Sequence, residues 1–498
     1  MSSKSQILVE FHNWKIHHFT FSLVINALAK KYNSQSVGFR SFNEDLKNQY
    51  FFIQIIKYIK FLFGNLFKFK TFRKYYSMGI KKIFIPSIHE RHKKKSINFI
   101  KNFYKKKKIS NKDILNLKVK DCYLGDIIYD SVLRSDNLIT INPHTTYFKK
   151  KLFKFLSLYF FWQEYFKINK VKAVIVCHDT YLSAIPLRIA SIKGIKAIVV
   201  ELDRIWQLSK KNLHTHKENL SYHKIFRKFN RLKKNKFIKE AKKKYIKKII
   251  QNKLHKNKNE KSKSNRKLKV LISPHSFADA PHVRGKTLFV DFYEWLIYLL
   301  NESKNTNYDW YIKLHPNYVD FFDDTFSLIK DLVKKKFRHV KWLSPKIKNY
   351  DLVKKKHIDA CFTVHGSIGY EMALLNVPVI NASLFNPHRN YNFNLHPKNL
   401  REFKRILNNL NKIDLNLNKN KILEYIFMNE MFFDKTWLGE EFNNFNSNTN
   451  FNFLTKKINN NDIFGKVDLI KVDKLLTLFF NSKNYCLLVN KSNIILNH

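Results

Sequence analysis

The residues best suited to chemistry stand directly after short apolar runs. Ala360-Cys-Phe-Thr-Val364 is followed by His365, Gly366 and Ser367, and these by a helix-forming stretch from Ile368 to Leu375. Free backbone N–H groups at a helix start attract an anion such as phosphate, which makes Gly366 and Ser367 candidate phosphate ligands with His365 beside them. Glu371 lies four residues after Ser367, on the same helix face, where it would reach sugar hydroxyls next to a phosphate held at Ser367. A plain capped strand–helix junction uses the same residues, with Ser367 as the cap and Glu371 in solvent. Lys313-Leu-His-Pro316 ends a second apolar run; Pro316 stops the strand, and Lys313 and His315 either face a phosphate or serve the fold. A third run leads into Ser273-Pro-His-Ser-Phe-Ala-Asp-Ala-Pro-His-Val-Arg284, which gathers His275, Asp279, His282 and Arg284 in one loop. Their spacing matches no common metal-ligand pattern, so the expectation is a polar cleft lining and no metal.

These groups need elements to place them. Strand-like runs at Lys269–Ser273, Trp310–Leu314, Val340–Leu343, Ala360–Val364 and Val377–Ile380 alternate with helical stretches at Leu288–Leu300, Phe322–Lys335, Tyr350–Lys355 and Ile368–Leu375. Repeated strand–helix units of this kind predict a doubly wound α/β domain over 267–414, with ligands at the carboxyl ends of its strands. The first half repeats the logic. Val171-Lys-Ala-Val-Ile-Val-Cys177, the loop His178-Asp179-Thr180, a helix to Lys193, Gly194 and Ile195–Val200 read as a βαβ crossover in a first domain over 1–205. Gln6–Glu10 could open that sheet. Phe51–Phe69 spaces apolar residues and lysines as a basic amphipathic helix, either a domain helix with a solvated lysine face or a membrane-surface helix.

With 498 residues the chain exceeds what one core usually serves, and 44% hydrophobic residues exclude wholesale disorder. Lys and Arg total 93 against 38 Asp and Glu, a formal charge of +55, which permits nucleic acid, an anionic membrane or an acidic substrate as partner. AT-rich coding drift alone produces the same lysine, asparagine, isoleucine and phenylalanine bias. Residues 221–270 carry 21 Lys/Arg against two acids, so 206–266 is expected to be a basic, partly helical connection between domains, and 415–498 a helix and Asn-rich tail. Four isolated cysteines, Cys122, Cys177, Cys361 and Cys486, form no CxxC pair and fit a reducing cytosol. The first residues show no signal peptide and no apolar run reaches the length of a spanning helix, so a cytoplasmic protein, free or peripheral on the inner membrane face, is expected.

The ordered set formed by the Ser273–Arg284 loop, Phe292-Tyr-Glu-Trp-Leu296, Trp310–Pro316 and Thr363–Ile380 resembles the C-terminal half of GT-B glycosyltransferases, nearest to those of bacterial capsule and surface-polysaccharide assembly. Similar His-Pro and Ser-containing helix starts occur in bacterial polysialyltransferases and teichoic-acid glycerophosphotransferases. Gly125–Arg134 and His178–Tyr181 look like N-domain segments of the same group, and residues 1–115 match none of it. The resemblance implies two Rossmann-like domains facing across a cleft. It implies a nucleotide sugar as donor, a glycan or lipid-linked acceptor, and no bound metal or other cofactor. Lys313, His315, His365 and the Gly366-Ser367 turn would then neutralise the leaving phosphate, with Glu371, His275, Asp279 and His282 around the donor. A general base must take the acceptor proton; His178 is the first candidate, with Asp179, Asp126 and Asp130 in reserve. Two alternatives remain: transfer of a polyol phosphate from a CDP-activated donor, and a basic nucleic-acid-binding protein. The second rests on charge alone, without a recognisable binding motif, so no nucleic-acid partner is expected.

Overall fold

The structure is a computed structural model and describes residues 4–41, 46, 51–105, 108–250, 266–315, 323–413, 417–434, 436–438, 463–464, 467–490 and 493–497. Two compact units divide the chain. The first comprises Met1–Asp136, Ile141–Thr215 and Phe433–His498, the second Asn137–Thr140 and His216–Phe432.

In the first unit, β1 (Gln6–Phe11), β2 (Gln35–Arg40), β3 (Ile80–Phe84), β4 (Val171–Val176) and β5 (Lys196–Val200) are parallel in the order β3-β2-β1-β4-β5. All six residues of β1 are buried, as expected of a strand covered on both faces. Ile7, Val9 and Phe11, with Ala173, Ile175, Ile198 and Val200, share one core with the helices His18–Tyr32 and Leu469–Asn481. Helix Thr146–Ile168 sets Trp162 against Phe39 of β2 with ring centroids 5.0 Å apart, so the apolar run Phe155–Trp162 belongs to a core helix. Past β5 the pattern turns antiparallel. β6 (Ile205–Leu208) pairs with β5, and the strand Cys486–Asn490, distant in sequence, pairs with β6.

The second unit has a five-stranded parallel sheet: β7 (Lys269–Ile272), β8 (Asp309–Ile312), β9 (Lys341–Trp342), β10 (Ala360–Thr363) and β11 (Val379–Asn381), in the order β9-β8-β7-β10-β11. Both parallel sheets therefore run 3-2-1-4-5, the doubly wound Rossmann-like order. In each, the winding reverses between the first and fourth strands, where this architecture leaves a crevice at the carboxyl edge. The chain is an α/β protein with two such units. The helix Phe292–Ser303 is started by Asp291, which accepts from Glu294 N at 2.7 Å, while Glu294 accepts from Val290 N at 2.6 Å.

The basic segment contributes the helix Arg231–Ile250, whose Phe237 stacks on Phe427 of the helix Lys419–Phe427 at 4.2 Å within the second unit. Residues 251–265, most of the low-complexity stretch, lie outside the described residues. From Phe433 onward the chain belongs to the first unit, where Trp437 is buried.

Candidate functional site

In each unit the strand ends at the reversal point carry polar residues to the carboxyl edge of the sheet. In the second unit, β7 leads to His275 and β10 to His365. Their rings stack with centroids 4.2 Å apart, and His275 Nε2 lies 2.5 Å from the His365 carbonyl oxygen. Phe292 closes the stack from one side. Gly366, with φ +109°, makes the turn; a side chain there would be strained and would also meet the His275 ring at 3.1 Å. Burial drives both imidazoles toward the neutral form: His275 is lowered to about 4, and His365 falls well below its ordinary value with His275 and Arg284 adding to the shift. His365 Nδ1 is buried without a hydrogen-bond partner among the described residues.

Lys313 follows β8 on the same edge, its N–H bonded to the Ile272 carbonyl at 3.0 Å. The side chain is 5% exposed, and its ammonium makes no hydrogen bond or ion pair among the described residues. Burial lowers its pKa, against the attraction of Cys361 and Glu371. An ammonium at the carboxyl edge without a directly bonded counter-ion is placed to receive an anion. His315 is exposed, and burial with the charge of Lys313 lowers it too; Pro316 lies outside the described residues.

The remaining residues expected on this unit separate. Ser367 is exposed and makes no side-chain cap bond, and the helix it precedes, Ile368–Leu374, spans only seven residues. Glu371 accepts from Asn349 Nδ2 at 2.7 Å. Asp279 is exposed. His282 is buried and bonded through Nε2 to the Val290 carbonyl at 2.7 Å, which ties the loop to the start of the helix Phe292–Ser303.

The first unit builds its edge from carboxylates and imidazoles. β1 ends in Glu10 and Phe11, and the buried Glu10 carboxylate accepts from Cys177 N at 2.8 Å and Cys177 Sγ at 3.1 Å across the reversal point. Burial raises the pKa of Glu10 despite those bonds. His178 comes directly after Cys177, with Nδ1 3.5 Å from Oε1 of Glu201, the residue just after β5. Burial pulls His178 down, but Glu201, Glu10 and Asp179 outweigh it and hold the imidazole above its ordinary value. Trp14 covers the ring edge-on at 4.6 Å. With Nδ1 turned to Glu201, Nε2 is the nitrogen left to accept a proton.

Asp126 and Asp179 serve buried networks. Asp126 pairs with Arg188 through two bonds, 2.8 and 3.1 Å, and lies 3.4 Å from His214. Burial raises its pKa, yet the Arg188 guanidinium more than compensates and the net value falls, which makes Asp126 a weak base. Asp179 accepts from Thr215 N at 2.9 Å and Thr215 Oγ1 at 3.0 Å. Asp130 is buried one turn beyond Asp126 on the helix Gly125–Asp136.

Sequence reasoning misses Glu10, Glu201 and a histidine group at His12, His17 and His18. His12 is buried, its ring 5.3 Å from His18 and 6.1 Å from His17, and His17 lies 6.3 Å from His178. Burial lowers all three, His17 and His18 to about 4. Three histidines within seven residues after the first apolar run were the available signal. In the second unit it misses His388 and His396, whose rings are 5.4 Å apart; position 369 is held to glycine because a side chain there would collide with His388. Among the described residues no group of three or more His, Cys, Asp or Glu is placed to hold a metal ion, and no helix is long and apolar enough to cross a membrane.

No protein-family model and no curated protein matches this sequence. Among solved structures the chain is similar to Thermosulfurimonas dismutans KpsC, a beta Kdo 2,4 transferase, with 12% identity over 53% of this chain and 85% of that one and a TM-score of 0.31. It is similar to the UDP-GlcNAc 2-epimerase of Neisseria meningitidis bound to UDP-GlcNAc, at 11% identity over 85% and 97% of the two chains and a TM-score of 0.24. A glycosyltransferase from Rickettsia africae ESF-5 shares 9% identity over 86% of this chain and 93% of its own, with a TM-score of 0.25.

Proposed function

We propose that the protein is a glycosyltransferase that moves a sugar from a nucleotide-activated donor to a hydroxyl of a surface polysaccharide or lipid-linked glycan. The observation that carries this reading is the ammonium of Lys313, on a largely buried side chain with no hydrogen bond or ion pair among the described residues, on the edge that also holds His275 and His365. The second unit takes the donor: Lys313 supplies the charge that the departing phosphate requires, so that no divalent ion is needed, and His365 Nδ1 and Ser367 supply hydrogen bonds. The first unit takes the acceptor. His178 Nε2 removes the hydroxyl proton as the oxygen bonds to the sugar's anomeric carbon and the bond to phosphate breaks, leaving the nucleotide with the electron pair. Glu201 fixes the tautomer and stabilises the imidazolium, as a carboxylate does behind any histidine base.

A thermal-shift panel of UDP, GDP, CMP and CDP tests the reading, because a ligand bound by the native state raises its apparent stability. A nucleoside diphosphate should raise the melting temperature of wild type more than that of Lys313→Met at the same concentration. A preference for CDP, with polyol phosphate transfer from a CDP-activated donor, would replace glycosyl transfer with the phosphotransferase alternative.

A further inference from the structure

The helix Phe51–Leu66 and the turn after it present an apolar face that is exposed among the described residues. Phe52, Ile55, Ile59, Leu62, Phe63 and Leu66 recur at helical spacing and are between 38% and 73% exposed. The opposite face is the one packed inward. Phe61 is 7% exposed and stands edge-on to Phe11 at 5.8 Å, Gly64 lets Phe72 approach, and Asn65 bonds to the Ile83 carbonyl and to Tyr76. A helix that hides its thinner apolar face and shows its richer one is arranged for a partner.

Charge identifies that partner. Between residues 51 and 89 there are eight basic residues and no acidic one: Lys57, Lys60, Lys68, Lys70, Arg73, Lys74, Lys81 and Lys82. A second copy of the chain would bring the same cations face to face, and nucleic acid would not cover six large apolar side chains. An apolar stripe flanked by lysines fits the boundary between acyl chains and anionic headgroups. We infer that the helix Phe51–Leu66 lies in the surface of an anionic lipid bilayer and docks the protein there. Sixteen residues with Lys57 and Lys60 among them are too few and too charged to span it, so the helix lies flat. Phe11, against which the inward face of the helix packs, precedes His12, so the helix itself lies beside the end of β1 that carries Glu10. The inference does not depend on the reaction proposed above.

The test is co-sedimentation of the full chain with phosphatidylcholine vesicles, alone or with about 30% phosphatidylglycerol. Wild type should pellet with the anionic vesicles and not the neutral ones. Phe52→Ser/Ile59→Ser/Phe63→Ser leaves the charge unchanged and should weaken binding about a hundredfold, with the melting temperature kept because the three positions are exposed. Phe63→Trp keeps the apolar character, and the indole it introduces should show a blue-shifted emission when anionic vesicles are added. Three results would overturn the inference: no pelleting of wild type, binding of the triple variant equal to wild type, or a lipid-independent dimer that the triple variant loses. An unshifted emission from the Phe63→Trp variant with vesicles bound would do the same, by moving the contact to another basic surface.

Discussion

The two reversal points share one topology and opposite electrostatics. In the first unit, Glu10 and Glu201 bracket His178 and raise its pKa, so the imidazole gains affinity for a proton. In the second, burial outweighs the weak pull of Asp279 and holds the stacked His275 and His365 neutral, and Lys313 keeps an ammonium with no hydrogen bond or ion pair among the described residues. A doubly wound sheet supplies only the crevice; the residues at the end of each strand decide what the crevice does. Glutamates at the ends of β1 and β5 make an edge suited to proton transfer, and lysine after β8 makes one suited to an anion.

The largest effect should come from removing the base. His178→Ala should lower turnover by about 10²–10⁴-fold while the nucleotide-induced thermal shift stays as in wild type, measured on the same preparation. Next, Lys313→Met and His365→Ala should each weaken nucleotide binding roughly tenfold to a hundredfold, the worth of a hydrogen bond or contact to a charged group of about 1.5–3 kcal/mol. Lys313→Met should also melt no lower than wild type, because it removes the charge from a largely buried side chain and keeps most of the volume. If both variants bind nucleotide normally, the assignment of the two edges collapses.

A smaller effect separates the edges by pH. His275, His17 and His18 are lowered to about 4 in the folded chain, so between pH 6.5 and 4 the unfolded chain binds protons that the folded one refuses. Their contribution to stability is present above pH 6.5 and is lost as pH falls, at about 1 kcal/mol per pH unit for each group. His178 has the opposite sign: its contribution is present below the ordinary imidazole value and is lost as pH rises through its raised one. Urea midpoints between pH 7 and pH 5 should therefore fall, and a bound diphosphate should restore more stability at the acid end by favouring protonation of His275. The smallest change is expected from Glu201→Gln, which removes the main group raising His178. The limb of the pH–rate profile where activity falls on acidification should move to lower pH, by less than about one unit for a contact in partly solvated surroundings.

Much of this was legible because parallel strands buried on both faces write themselves as β-branched runs, as at Val171–Val176 and Ala360–Thr363. A residue directly after such a run sits at a strand end, and that rule found His178, Lys313, His275 and His365. It overlooked Glu10 because Glu10 is itself the fifth residue of β1, a carboxylate inside a strand whose function depends on a neighbour 167 residues away. Asp126 stood as a reserve base; its pairing with Arg188, 62 positions on, could not be read from local spacing. The strand Cys486–Asn490 joins the first sheet through a long-range pairing with β6 that no periodicity in an Asn-rich tail announces.

Calorimetric titration of UDP, or of whichever diphosphate the thermal panel selects, into wild type, Lys313→Met and His178→Ala tests the division between the two edges most directly. Affinity should fall about tenfold or more in Lys313→Met and stay unchanged in His178→Ala. Affinity lost in His178→Ala and retained in Lys313→Met would place the nucleotide on the first unit and contradict that division.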